Sequence, residues 1–293
     1  MSSAGLKPNA LTFLSRGVTQ VRRHGVRLLW LRYIRRRGIL RTAAVSCPAQ
    51  SELEVHTQVC GRDWLNCIWT MKSFARFCAR PFRLIIFCDA TVSREGVANL
   101  RQHLAGAEVL SFDESLPATE KAFSTRYPAL YSLRTDGRFF TLPKVLDSFA
   151  HRRSDMVLAI DPDVLFFECP AEMLDDLDPA RKYFGRLNVP RRDSDPRGAF
   201  CIDAVALREQ FGFELPLRFN CGLGSFNYAA ADWDLIERVV KALRPDASRA
   251  FMLDQTILGL LCLARGWHPL PPERYVLEPV SYTHLTLPTI LRV

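Results

Sequence analysis

The chain predicts an α/β fold, a three-layer α/β/α domain on a mainly parallel sheet, and three observations lead there. Apolar segments of strand length alternate with segments of helical periodicity from about Cys47 onward, the order that gives a parallel sheet with helices on both faces. With 293 residues and 48% hydrophobic content, the chain can bury one large core and is short for two equal domains. Five consecutive apolar residues, Met156 to Ile160, read as a fully buried central strand that ends in Asp161-Pro162-Asp163.

The elements follow in order. Glu52 to Gln58 alternates enough to be a strand. Asp63 then precedes a helix in which Trp64, Ile68, Met71, Phe74 and Cys78 recur at helical spacing until Pro81 stops it. Arg83 to Cys88 is a short apolar strand. Ser93 suits the N-cap of a helix through Leu104, Gly106 suits its stop, and a strand surrounds Val109. A helix from Leu142 to His151 is predicted, with Pro143 in its tolerated first turn. It leads into the buried strand.

Composition narrows the function classes. The net charge of +8 is local, because residues 1–41 hold ten basic residues and no acidic one, which leaves the rest of the chain at −2. The expected organisation is a basic N-terminal arm over 1–46, a catalytic domain over 47–280 and a non-native tail over 281–293. Within residues 20–41 apolar and arginine residues alternate, which admits either contact with an anionic membrane surface or a solvated helix. No further basic face follows, so nucleic acid is not an expected partner. Nine cysteines without C-x-x-C pairing read as small buried hydrophobes in a reducing cytoplasm, not as zinc ligands or a disulfide framework. Met1 to Ala10 has no apolar signal core, and no uncharged run approaches a membrane span, so a soluble or peripheral cytoplasmic protein is expected.

Chemistry is expected at Asp161 and Asp163, since ligands of open α/β sheets collect outside the carboxyl ends of strands. Two carboxylates at the end of a buried strand require compensation of their charge. A hard cation such as Mn2+ or Mg2+ provides it, with phosphate oxygens completing its shell. The competing reading is a plain turn, because Asp and Pro are both turn residues.

The segment "MVLAIDPDVLFF" resembles the strand, D-x-D, strand element of GT-A glycosyltransferases, the Rossmann-like nucleotide-diphospho-sugar transferases, and is most similar to family-eight-like enzymes. "VHTQVCGRDWLNCIWTMKSF" resembles their first strand and helix, and "RLIIFCDATVS" their second strand and acidic loop. "FNCGLGSFN" is similar to their Asn-x-Gly segment and "MLDQTILGLL" to their Asp-Gln helix start. The resemblance spans residues 52–275 and implies a bacterial, cytoplasmic hexosyltransferase acting on a nucleotide sugar, UDP-linked by likeness, and on a glycan, lipid or protein acceptor. It implies metal on Asp161 and Asp163. It places His56 and Thr57 near the base, Asp89 in the adjoining loop, Lys144 at phosphate or sugar, and Asn220 and Gly222 beside the donor sugar. Asp254 and Gln255 fall on the reacting side, although Asp254 also reads as a helix N-cap.

Two departures stand out. No His-x-Gly segment follows "RYVLEPV", and "SYTHLTLPTILRV" resembles translated adapter sequence. A non-catalytic scaffold derived from a transferase is therefore an alternative. A sugar-nucleotide pyrophosphorylase is another, disfavoured because "VCGRDWLNC" lacks the Gly-rich loop of those enzymes. "RRDSDPRG" at 191–198 reads as a charged loop that closes over substrate or is simply solvated.

Overall fold

A computed structural model describes residues 35–175, 177, 181–190, 199–216 and 218–276. Most of the arm, the 191–198 loop and the tail lie outside the described residues. The chain divides into a unit of Ala43–Glu278 and a second of Met1–Thr42 with Pro279–Val293. Of the second, the described part is a 3-10 turn at Arg35–Arg41 and Thr42.

In the larger unit the elements are β1 (Val45–Ser46), β2 (Leu53–Val59), α1 (Trp64–Cys78), β3 (Phe82–Cys88), α2 (Arg94–His103), β4 (Leu104–Ala105) and β5 (Glu108–Ser111). Next come α3 (Phe112–Phe123), α4 (Pro128–Thr135), a 3-10 turn at Leu142–Lys144, α5 (Leu146–His151) and β6 (Met156–Ile160). The remainder is α6 (Ala171–Leu174), β7 (Gly185–Leu187), α7 (Ala204–Phe211), β8 (Leu223–Asn227), α8 (Trp233–Leu243), α9 (Leu253–Arg265) and β9 (Trp267–Pro269). Further 3-10 turns occupy Tyr228–Ala230 and Ala247–Met252.

Seven strands pair in the order β5-β3-β2-β6-β8-β7-β9, while β1 and β4 form a separate parallel pair. The contacts of β2 with β3 and β6, of β3 with β5 and of β7 with β9 are parallel; β8 runs against both β6 and β7. Strand alternation sends side chains to two layers. Phe82 of β3 meets Phe74 of α1, whereas Phe87, of opposite parity, meets His151 of α5. The three-layer, mainly parallel fold is the one predicted.

Local chemistry accounts for the element ends. Ser93 Oγ accepts from the Gly96 N–H at the start of α2, as expected of that cap. Ser111 and Glu114 form a reciprocal capping box that starts α3. The segment 142–151 is one helical stretch in the sequence but two in the structure, with Val145 between the 3-10 turn and α5. The segment after Asp163 is irregular through Pro170, so the expected second strand is absent there. The stretch Ala247–Arg265 is apolar enough to cross a membrane by composition and length, yet ten successive residues of α9, Leu253 to Cys262, are buried. It is a core helix. Seven of the nine cysteines are buried and all nine are free thiols.

A buried ion pair fixes the layer that carries Lys144. Arg134 of α4 donates from Nε and Nη2 to the two carboxylate oxygens of Asp147 on α5, both at 2.7 Å, and Thr119 Oγ1 of α3 donates to the same group at 2.9 Å. Neither charged side chain reaches solvent. Removing one partner of such a pair leaves the other charge uncompensated and costs about 3–5 kcal/mol. Arg134→Met is expected to lower unfolding stability by that amount in urea melts. A loss of about 1 kcal/mol or less, the worth of an exposed pair, would show that Asp147 is not stranded.

Candidate active site

The site is built where β8 meets β6. The ladder pairs Ile160 with Leu223, and one step further the Asp161 N–H donates to the Gly222 carbonyl at 2.7 Å. Antiparallel pairing thus brings Asn220-Cys221-Gly222 to the carboxyl end of β6. Asn220 Oδ1 accepts from the Gly222 N–H at 2.8 Å and closes the turn. A side chain at 222 is crowded, since a Cβ there would lie 2.7 Å from Asp161 Oδ2 and 2.9 Å from Asn220 Oδ1 and would have to displace both oxygens. Glycine allows this close approach without that shift.

Lys144 joins the carboxylates. Its ammonium lies 2.6 Å from Asp161 Oδ1 and 3.4 Å from Asp254 Oδ2, with Cys221 Sγ at 3.5 Å. The Lys144 side chain is 8% exposed and that of Asp161 33%. Burial works against the charge of Lys144, but Asp161, Cys221 and Asp254 outweigh it and hold the ammonium protonated well above its ordinary range. Burial pushes the Asp161 carboxyl up to about 6; Lys144 opposes the shift, while Asp254 and Asp163 add to it. Asp163 is exposed, and its carboxyl is raised by desolvation and by repulsion from Asp63. The Cys221 thiol is pushed far up by burial and is no thiolate.

The structure therefore brings Lys144, Asp161, Asn220, Gly222 and Asp254 together, with Asp163 beside them. Asp254 lies inside the first turn of α9, whose N-cap is Met252, so its reading as a helix cap is corrected. Its neighbour Gln255 turns its amide elsewhere, donating from Nε2 to the Ala199 carbonyl at 2.7 Å. Asp89 follows β3 and accepts from the Thr91 N–H and hydroxyl, while Thr91 Oγ1 accepts from the Gly61 N–H. That contact ties the loop after β2 to the loop after β3.

His56 and Thr57 are not brought to this rim. His56 lies in mid-strand and is 1% exposed. Its Nε2 is 2.8 Å from Glu54 Oε1, and burial lowers its pKa. Glu54 is a hub that also accepts from Arg83 and from the Arg153 and Ser154 N–H groups. Thr57, on the opposite face of β2, is buried, and its hydroxyl has no hydrogen-bond partner among the described residues. A strand side chain points into a layer, and His56 is level with Ala159, two residues short of Asp161.

Asp63, Gly61 and Cys221 were not singled out from the sequence. Asp63 was read only as the residue before a helix, although it lies close enough to Asp163 to raise its pKa. A Cβ on Gly61 would collide with the Thr91 carbonyl. The signal for Cys221 was its place inside the Asn-x-Gly segment.

No family model and no curated protein matches the sequence. Among solved structures, the chain is similar to the WbbM bifunctional glycosyltransferase at 17% identity and a TM-score of 0.48, covering 78% of this chain and 40% of that one. It is similar to mouse xyloside xylosyltransferase 1 at 12% identity and a TM-score of 0.48, covering 78% and 86% of the two chains. Galactosyltransferase LgtC, solved with donor and acceptor sugar analogs, gives 15% identity and a TM-score of 0.41 over 75% and 74%. The chemistry of the site rests on the contacts within this chain.

The raised Asp161 carboxyl has a consequence for stability. Its pKa is about 6 in the folded chain and about 3.9 when unfolded, so the folded state binds the extra proton between those values. Its contribution is complete below about pH 4 and is lost as pH rises towards 6. In EDTA, wild type is expected to lose stability relative to Asp161→Asn across that window, read from denaturant midpoints. A difference that stays flat with pH would contradict the shift.

Proposed function

We propose that the chain is a GT-A-type glycosyltransferase that moves a sugar from a nucleotide-sugar donor, UDP-linked by the sequence resemblance, to an acceptor hydroxyl. On this reading residues 47–280 are the transferase domain. The observation that carries it is the close approach at Gly222, where Asp161 and Asn220 converge on a position where a Cβ would displace their side-chain oxygens. The same cluster holds Asp254 on the far side of Lys144.

A divalent cation, Mn2+ or Mg2+, fits the charge of this cluster. Asp63, Asp161, Asp163 and Asp254 outnumber the Lys144 ammonium; burial raises both D-x-D carboxyls, with Asp254 and Asp163 adding to the shift of Asp161 and Asp63 to that of Asp163. Asp161 and Asp163 are the residues that would hold it. Among the described residues no group of three His, Cys, Asp or Glu side chains is placed to hold a metal ion by itself; phosphate oxygens and water would have to complete its shell. When bound, the cation supplies Lewis-acid stabilisation of charge on the departing diphosphate.

The chain's own groups have distinct tasks. Lys144 stays charged and holds Asp161 and Asp254 in one geometry. Asn220 and Gly222 form the floor beneath the donor sugar. Asp254 is the carboxylate on the reacting side, available to an acceptor hydroxyl or to the anomeric centre.

Isothermal titration with UDP and Mn2+ tests this function. Saturable binding to wild type, abolished in Asp163→Ala, is the expected outcome; equal heats from both proteins would remove the metal from Asp163. Gly222→Ala is expected to weaken the same binding while far-UV circular dichroism stays that of wild type. Undiminished affinity in that variant would show that the donor does not approach the floor.

A further inference from the structure

The Lys144 ammonium already pairs with the first D-x-D carboxylate. It lies 2.6 Å from Asp161 Oδ1, while Asp161 Oδ2 faces position 222, where an added Cβ would be 2.7 Å away. Each oxygen of Asp161 thus has its own neighbour, the ammonium at one and the glycine at the other.

Burial keeps this charge in place. The Lys144 side chain is 8% exposed, and the 3-10 turn Leu142–Lys144 packs on both β2 and α9. Its other polar neighbours are Asp254 Oδ2 at 3.4 Å and Cys221 Sγ at 3.5 Å. When Asp161 serves another charge, Lys144 therefore has a second partner within reach and does not enter water. The ammonium does not set where the two acidic backbones lie, because the Asp161 N–H is bonded into the ladder at Gly222 and Asp254 belongs to the first turn of α9. Its removal changes charge more than placement.

We infer that Lys144 opposes the divalent ion at Asp161 and Asp163 until a nucleotide diphosphate is present, so that ion and nucleotide enter together and the ion does not enter first. The inference rests on the transferase reading and adds the order of binding. An ion held by the Asp161 carboxylate comes within one carboxylate's width of the ammonium, and like charges that close repel strongly where water is excluded. A diphosphate reverses this, since its oxygens pair with the ammonium and also complete the shell of the ion. By linkage, the ion raises affinity for the nucleotide by the same factor by which the nucleotide raises affinity for the ion.

Electron paramagnetic resonance of free Mn2+, at about pH 8 where carboxyls are ordinarily ionised, tests this with wild type and Lys144→Gln. Wild type is expected to bind Mn2+ weakly alone or with uridine, and at least about tenfold more tightly with UDP. Lys144→Gln is expected to bind Mn2+ alone about tenfold more tightly than wild type, and to gain less from UDP. Unchanged or weaker binding of Mn2+ alone in that variant overturns the inference and leaves Lys144 as the group that organises the carboxylates. Should circular dichroism show that Lys144→Gln does not fold, the wild-type comparison decides, since equal Mn2+ affinity with UDP and with uridine overturns it too. Absence of UDP binding to wild type by titration in the presence of Mn2+ rejects the transferase reading, and this inference with it. A variant of the wrong sign with UDP still bound rejects the inference alone.

Discussion

The antiparallel pairing of β8 with β6 is the constraint on which the site depends. Because β8 enters the sheet from the rim, the residues just before it meet the residues just after β6, and the Asp161 N–H to Gly222 carbonyl bond extends the ladder by one step. A parallel β8 would leave Asn220 and Gly222 at the opposite edge. The close approach then dictates residue type, since a Cβ at 222 would enter the space of the Asp161 carboxylate. Backbone pairing, side-chain size and charge placement are one requirement here.

Charge is held around this point by layers of decreasing burial. The Arg134–Asp147 pair, sealed from solvent, locks α4 to α5 three residues beyond Lys144. Lys144 is almost as buried but touches the half-exposed Asp161, and Asp163 beyond it is open to water. At the opposite end of β2, Glu54 does comparable work with His56, Arg83 and two backbone N–H groups. Burial acts against the charge of Glu54, yet these bonds hold its carboxyl below the ordinary value. Asp161 differs: a carboxylate with enough donors is satisfied, and one with a lysine but also two acidic neighbours is not.

Much of the frame was legible in the sequence because local chemistry and tertiary need agree there. Met156 to Ile160 is a strand with the predicted ends, Ser93 is a cap, and Trp64 to Cys78 is a helix. The helices Phe112–Phe123 and Pro128–Thr135 went unread; the first carries Pro117 in its interior and the two are separated by only four residues. His56 and Thr57 lie away from the rim for a different reason. A motif resemblance gives sequence position, whereas a one-residue change along a strand reverses the layer a side chain enters, and the Glu54 partner that draws His56 inward lies two residues away on the same face. Asp254 was ambiguous between cap and reactant because the start of α9 is set by the preceding 3-10 turn at Ala247–Met252, which the local sequence does not announce.

The unresolved repulsion at the rim bears on how this centre works. A fold selected only for stability would replace Asp163 or Asp254, since both raise the pKa of Asp161 and so reduce the stability of its ionised state. Retaining them beside a buried lysine keeps the unliganded site short of positive charge, and any species that supplies that charge on binding recovers the deficit as affinity. The acidic rim and the glycine floor thus favour the same event. On the transferase reading the rim would take a cation, the floor would admit a ligand close enough to share it, and Lys144 would keep the carboxylates from relaxing apart before either arrives.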